Sequence, residues 1–418
     1  MRLLCAFLAV AALAGCASEI PPTTAPPAEA FDRKLIKDGE QLAAVGDCAG
    51  CHTKAGGPPF AGGVPLETPF GTVFGTNITP DVAYGIGAWS EAAFRRAMRE
   101  GVARDGRHLY PAFPYDHFTR LSDQDIRALF AFLMTRDPVA QPPPKNKLSF
   151  PFNLRPLIAG WNLLYFREAR FSPDASKSVE WNRGAYLVEG LGHCGACHTP
   201  RNRLGAEQKN RALSGGMVEG WYAPALNESS PSPIPWTAEH LSTYLGTGMA
   251  ERHAIAAGPM QAVTAQLSRA SPADVRAIAA YIHEAMGPVT QARESRARAA
   301  LELASLGPSA AAGASAAERD AKLSLGRSLY AGACASCHEA GRRVSSSGAL
   351  ELPLAVALYD RQPASLVNII RQGIRPPEGE RGRWMPAFAG AFTDEQLGAL
   401  VAYLRTLAPG APPWDNRK

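Results

Sequence analysis

Cys48-Ala49-Gly50-Cys51-His52, Cys194-Gly195-Ala196-Cys197-His198 and Cys334-Ala335-Ser336-Cys337-His338 are three copies of Cys-x-x-Cys-His. Two cysteines three positions apart stand about one helical turn from each other, so both thiols can reach one porphyrin. The histidine that follows then falls beneath the iron, and this is the attachment pattern of c-type haem. With eight Cys and nine His among 418 residues, about 0.003 copies would arise by chance. A zinc centre would need two Cys-x-x-Cys pairs converging on one metal. Here each pair carries its own histidine, and successive copies lie more than 130 residues apart. The pattern predicts three covalently bound haem c groups. Thioethers form at Cys48, Cys51, Cys194, Cys197, Cys334 and Cys337, and the proximal ligands are His52, His198 and His338.

The chain around these motifs is repetitive. Gly-x-x-Leu precedes each motif, at Gly39–Leu42, Gly184–Leu187 and Gly326–Leu329. A capped amphipathic helix closes each repeat, opening at Ser122, Ser271 and Thr393. The Ser/Thr starts with an acid or amide three residues on are capping boxes, and the apolar residues recur at helical spacing. Trp89-Ser90 and Trp236-Thr237 introduce a middle helix in the first two repeats. The fold class is therefore all-α, with three tandem class I cytochrome c-like domains at 34–140, 175–290 and 319–410, one haem in each. Residues 141–174, rich in Pro and aromatics, form a connecting strap, and residues 291–318 a linker. At 418 residues and 46% hydrophobic content the length and composition suit several small cores. The +5 formal charge is modest and its basic residues are not interleaved with aromatics, which leaves no nucleic-acid footprint.

Electron-transfer haems commonly fill the sixth position with Met, which raises the potential. Met260 lies 62 residues after His198 and Met385 lies 47 after His338, each before the last helix of its repeat. Both are assigned as distal ligands, with Met249 the rival in repeat two. Repeat one departs from this. Its loop reads Leu109-Tyr110-Pro111-Ala112-Phe113-Pro114-Tyr115, and Phe cannot coordinate iron. His117, four residues on, is the candidate, with Met98, His108 or an open position as alternatives. Asn77, Thr79 and Trp89 serve either loop structure or the propionates of the first haem.

The N-terminus reads as a lipoprotein signal peptide over residues 1–15: Arg2, an apolar run over residues 3–13, then Leu13-Ala14-Gly15-Cys16, with Cys16 the lipidated residue. Cys5 would be lost with the signal. Residues 16–33, rich in Pro, Ala and Thr, are a flexible tether. The expectation is a periplasmic protein, lipid-anchored to a bacterial membrane rather than threaded through it.

Phe74-Gly75-Thr76-Asn77-Ile78-Thr79-Pro80-Asp81, Gly85-Ile86-Gly87-Ala88-Trp89-Ser90, residues 108–115, Gly192 through Asn202, and Met385-Pro386-Ala387-Phe388 carry a resemblance over about residues 36–408. In these stretches the chain resembles the three-haem cytochrome c subunit of bacterial membrane-associated dehydrogenases. That family serves alcohol, gluconate and aldehyde dehydrogenases, with a branch that serves molybdenum hydroxylases. The resemblance implies a non-catalytic electron-transfer subunit. A catalytic dehydrogenase subunit supplies electrons, and ubiquinone or a downstream cytochrome or oxidase of the respiratory chain receives them. Phe113 favours a molybdenum hydroxylase as partner, with a quinoprotein or flavoprotein as the alternatives. A free periplasmic shuttle and a peroxidase-like enzyme using an open first haem are the rival functions.

Overall fold

The computed structural model describes residues 18–306, 320–339, 350–376 and 385–415. The signal at 1–15, Cys16, the end of the 291–318 linker and Trp384 lie outside the described residues. The chain divides into two compact units. One takes residues up to 196 with 203–206 and 269–274; the other takes 197–202, 207–268 and the remainder from 275 on. The first Cys-x-x-Cys-His falls in the first unit and the third in the second. The middle one is divided, with Cys194 in the first unit and Cys197 and His198 in the second.

In the first unit, helix α1 (Arg33–Val45) starts at Asp32, whose carboxylate accepts from the Lys34 and Leu35 amides. The short helix α2 (Cys48–His52) follows directly. Strands β1 (Pro65–Thr68) and β2 (Gly71–Phe74) form an antiparallel hairpin. Helix α3 (Glu91–Glu100) is capped by Ser90, which accepts from the Ala93 amide. Helix α4 (Tyr115–Phe118) leads to α5 (Asp123–Met134). Helix α1 crosses α5 where a Cβ on Gly39 would enter the Ala128 carbonyl oxygen. Only glycine allows that approach, and Leu42 of α1 and Ile126, Leu129 and Phe132 of α5 are all buried.

The strap then returns to this body. Strand β3 (Lys147–Leu148) pairs with β2, and the Asn77 amide donates to the Val139 and Gln141 carbonyls at 2.8 and 3.1 Å. Helix α6 (Pro156–Tyr165) begins with Pro at its first turn, where no amide hydrogen is needed. Helix α7 (Val179–Tyr186) runs into a π-helical turn at Leu187–Leu191. The Tyr186 hydroxyl donates to Asp125 at 2.6 Å and accepts from the Ser122 amide at 3.1 Å. Asp125 therefore serves Tyr186, while Ser122 caps α5 by accepting the Asp125 amide.

Helix α8 (Gly195–His198) carries the second motif. In the second unit, β4 (Gly216–Val218) and β5 (Trp221–Ala223) form a hairpin. Helix α9 (Ala238–Thr247), capped by Thr237, precedes the two-residue strands β6 (Met249–Ala250) and β7 (Ala254–Ile255). Helices α10 (Pro259–Leu267), α11 (Pro272–Ala285) and α12 (Gln291–Leu306) follow, the first turn of α11 belonging to the first unit. Helix α13 (Ala321–Ala333) leads into α14 (Ala335–His338), then α15 (Ala364–Gln372) and α16 (Asp394–Arg405). Helices α13 and α16 cross at Gly326, under the Ala399 carbonyl, as α1 and α5 do at Gly39. Their core holds Tyr330, Leu358, Tyr359, Leu400 and Tyr403, each almost fully buried.

The scaffold is mostly helical. Among the described residues it departs from a purely α reading in three small antiparallel sheets of two- to four-residue strands.

Candidate haem sites

The first site is built on α2. Asp47, in the left-handed region at φ 45°, caps it by accepting the Gly50 amide at 3.2 Å. Burial pushes the Asp47 carboxyl up to about 6, against the opposing pull of that hydrogen bond. The His52 Nδ1 lies 2.6 Å from the Thr76 carbonyl oxygen. A carbonyl can only accept, so the proton is on Nδ1 and Nε2 keeps its lone pair. Burial holds the imidazole below its ordinary value, which favours that neutral form. The chain passes close enough to deliver the Thr76 carbonyl because residue 75 is glycine: a Cβ there would enter the Cys51 carbonyl.

The second site repeats this wiring. His198 Nδ1 lies 2.6 Å from the Pro224 carbonyl. The His52 carbonyl accepts from Gly62 at 2.7 Å, and the His198 carbonyl accepts from Gly215 at 2.8 Å. The Thr53 hydroxyl accepts the Phe60 amide and the Thr199 hydroxyl accepts the Leu213 amide, both at 3.0 Å. Phe60 and Leu213 share positive φ angles of 61° and 55°. At the third site, His338 Nδ1 lies 3.2 Å from the Leu350 carbonyl. Each proximal candidate thus offers Nε2 beside a pair of cysteines. Burial pushes the Cys48 thiol up to about 12 and the Cys334 thiol up to about 11. An imidazole held from behind with its lone pair on Nε2, and two thiols one turn away, fit covalent haem c.

The distal candidates are placed by their loops. Gly101 and Gly248 end α3 and α9 in the left-handed conformation, at φ 65° and 73°. The Gly101 carbonyl accepts from Leu109 at 2.7 Å and the Gly248 carbonyl from Ala256 at 2.8 Å. Counted from these caps, Phe113 occupies in repeat one the position of Met260 in repeat two. Met260 itself is in the first turn of α10, after Gly258, whose positive φ sets it against the Trp221 ring. Met249 is on β6 and 37% exposed. Met385 is half-buried against the third core and exchanges two backbone hydrogen bonds with Ile374, at 2.9 and 3.0 Å.

His117 is buried on α4, with its Nδ1 2.9 Å from the Glu189 carbonyl. It therefore has the same tautomer as the three proximal histidines. Phe113 packs edge-on against Phe118 of the same helix, with centroids 5.3 Å apart. Of the alternatives, Met98 is buried on α3, and His108 has a buried Nδ1 without a hydrogen-bond partner.

Asn77 and Thr79 are committed to loop structure. Beyond its two donated bonds, Asn77 accepts from the Thr79 amide and hydroxyl at 2.9 and 2.7 Å. The Thr79 hydroxyl also accepts the Val139 amide. The carbonyls of Thr76, Pro224 and Leu350, which orient the three rings, are the functional groups that sequence reading missed.

The family model described as cytochrome c matches residues 36–137 and 182–285. The model described as cytochrome c oxidase, cbb3-type, subunit III matches residues 321–404. A nicotinate dehydrogenase subunit of Pseudomonas putida is 44% identical over 96% of this chain, which spans only 32% of that longer protein. The fructose dehydrogenase cytochrome subunit of Gluconobacter japonicus is 36% identical over 96% of this chain and 84% of its own length. The gluconate 2-dehydrogenase cytochrome c subunit of Pantoea cypripedii is 36% identical over 89% and 85%. With matches running nearly end to end through two of these subunits, the chain belongs to the family of cytochrome c subunits of dehydrogenases.

Proposed function

We propose that this chain takes electrons from a catalytic dehydrogenase subunit and passes them through three covalent haem c groups to ubiquinone or a downstream cytochrome path. The observation that carries this reading is the shared arrangement at the three Cys-x-x-Cys-His motifs, where each imidazole has its Nδ1 on a main-chain carbonyl. Bound haem supplies one-electron iron chemistry. The chain's part is to fix the axial ligands and tune them. His52, His198 and His338 are held against rotation, and the carbonyl on Nδ1 makes Nε2 a better donor. Met260 and Met385 are assigned as distal thioethers, which favour the reduced iron and raise the potential. His117 is assigned to the first haem, supported by Phe113 at the ligand position and by the Glu189 carbonyl behind its ring.

A molybdenum hydroxylase is the favoured partner. Its support is the 44% identity to a protein named as a nicotinate dehydrogenase subunit, together with Phe113. The favoured location is the periplasmic face of a membrane, with lipid on Cys16. The names of the relatives speak for a dedicated subunit rather than a free shuttle or a peroxidase.

Co-purification of the tagged full chain from detergent extract tests the reading. The expected result is a stoichiometric large subunit containing molybdenum, whose substrate reduces the haems. A quinoprotein or flavoprotein partner would overturn the molybdenum assignment. A fully haem-loaded chain that comes out alone would overturn the dedicated-subunit role.

A further inference from the structure

Helix α6 is apolar on both sides. One face, Ile158, Trp161, Asn162 and Tyr165, follows the i, i+3, i+4, i+7 spacing of a buried stripe. Ile158 is buried, the Trp161 indole donates to the Leu204 carbonyl at 3.0 Å, and Asn162 accepts from the Tyr115 hydroxyl at 2.5 Å. The other side should be polar on a helix that meets only water. Instead it shows Leu157, Leu163 and Leu164, at 50%, 75% and 64% exposure. The approach to the helix adds Phe150 at 79% and Leu154 at 45%. Isolated exposed leucines need no explanation, but a run of six large apolar side chains within fifteen residues, counting Phe152 at 38%, does.

The charge of the same segment says what covers it. Residues 138–167 contain Lys145, Lys147, Arg155 and Arg167 and no Asp or Glu. Lys145, Lys147 and Arg167 are exposed at the margins of the apolar run. Arg155 is half-buried, stacked over the Tyr110 ring at 4.6 Å. A segment with apolar side chains outward, aromatics at its ends and unopposed cations beside them is complementary to an anionic lipid surface.

We propose that the strap bearing α6 is a membrane-contacting surface. Leu157, Leu163 and Leu164 enter the headgroup–acyl boundary of an anionic phospholipid bilayer, and Lys145, Lys147 and Arg167 meet its headgroups. The helix has ten residues, about 15 Å at 1.5 Å per residue, roughly half of a bilayer's hydrocarbon thickness. It therefore lies along the surface. No helix among the described residues is long and apolar enough to cross a membrane. One apolar segment gives only reversible attachment, and a second signal converts it to stable anchoring. The strap contact is distinct from lipid on Cys16 and independent of which dehydrogenase is the partner.

The test is flotation of the haem-loaded mature chain from residue 17 on, exported behind a cleavable non-lipoprotein signal, so that neither the apolar leader nor lipid on Cys16 is present. The vesicles are phosphatidylcholine with a minority of phosphatidylglycerol, compared with phosphatidylcholine alone. The expected result is binding to the anionic vesicles that weakens with added salt. It should fall by at least about tenfold in Leu163→Asp/Leu164→Asp. Both leucines are exposed, and an unchanged haem spectrum shows that the variant is folded. Equal flotation of parent and variant, or no flotation of either, overturns the proposal. So does a concentration-dependent dimer that the double variant abolishes without any vesicle binding, which would assign the surface to a second copy of the chain.

Discussion

A main-chain carbonyl fixes the tautomer of each candidate haem-site histidine. Thr76, Pro224 and Leu350 place an acceptor on Nδ1 of His52, His198 and His338, and Glu189 does the same for His117. The proton is thereby fixed on one nitrogen and the lone pair on the other. If His117 is the distal ligand of the first haem, His117→Ala leaves that iron five-coordinate. One of the three haems should then change from low to high spin in its electron paramagnetic resonance spectrum, with the other two unmoved. In the parent, two imidazoles should make this haem the lowest-potential centre. A variant with an unchanged low-spin spectrum would return the ligand to Met98 or His108. At this scale the motif residues stand out in the sequence because thiol and imidazole side chains are chemically distinctive and their spacing is fixed. The carbonyls were not, because every residue has one and only the folded path selects which is used. Phe113 was legible as a departure, and the loop bonds from Gly101 and Gly248 give the physical reason it stands where Met260 does.

Elements carry the repeat more faithfully than residues do. Gly39 and Gly326 occupy equivalent crossings of a first and a last helix, each beneath a carbonyl of the partner helix. Adding a methyl at either crossing must push two helices apart. Gly39→Ala and Gly326→Ala should each cost about 2 kcal/mol or more of stability. Gly398 lies within α16, and no atom stands within 4 Å of the place a Cβ would take. Gly398→Ala should therefore stabilise by up to about 1 kcal/mol, since glycine is a poor helix former. Denaturant melts followed by circular dichroism decide the matter, and equal effects at all three positions would remove the crossing argument. The helix starts were legible at Ser90, Ser122, Thr237 and Thr393, because a cap is local chemistry. Thr393 and Gln396 form a reciprocal box, whereas Ser122 lacks its return bond because Asp125 receives Tyr186 from 61 residues away. The hairpins were not legible. Strands of two to four residues have too little alternation to read, and β2 gains its partner β3 only when the strap returns from more than 70 residues on.

For the molecule as a whole, the quantity to measure is the number of haems, since three motifs are distributed over two compact units. Each thioether forms by adding a thiol S–H across a vinyl group: sulfur bonds to one carbon and the hydrogen goes to the other. Nothing leaves, so the mass of the denatured chain is the polypeptide plus a whole number of haem groups. The intact mass should therefore exceed the processed polypeptide by three, with three irons per chain by metal analysis. Cys334→Ala/Cys337→Ala should retain two covalent haems. It should lose the high-potential centre assigned to Met385, because that thioether then has no attached iron to bind. The α1–α5 body is the control: its core, from Leu42 to Phe132, belongs to the first unit, and residue 334 belongs to the second. A parent mass showing two haems, with the double variant identical to it, would make the third motif structural and reduce the electron path to two centres.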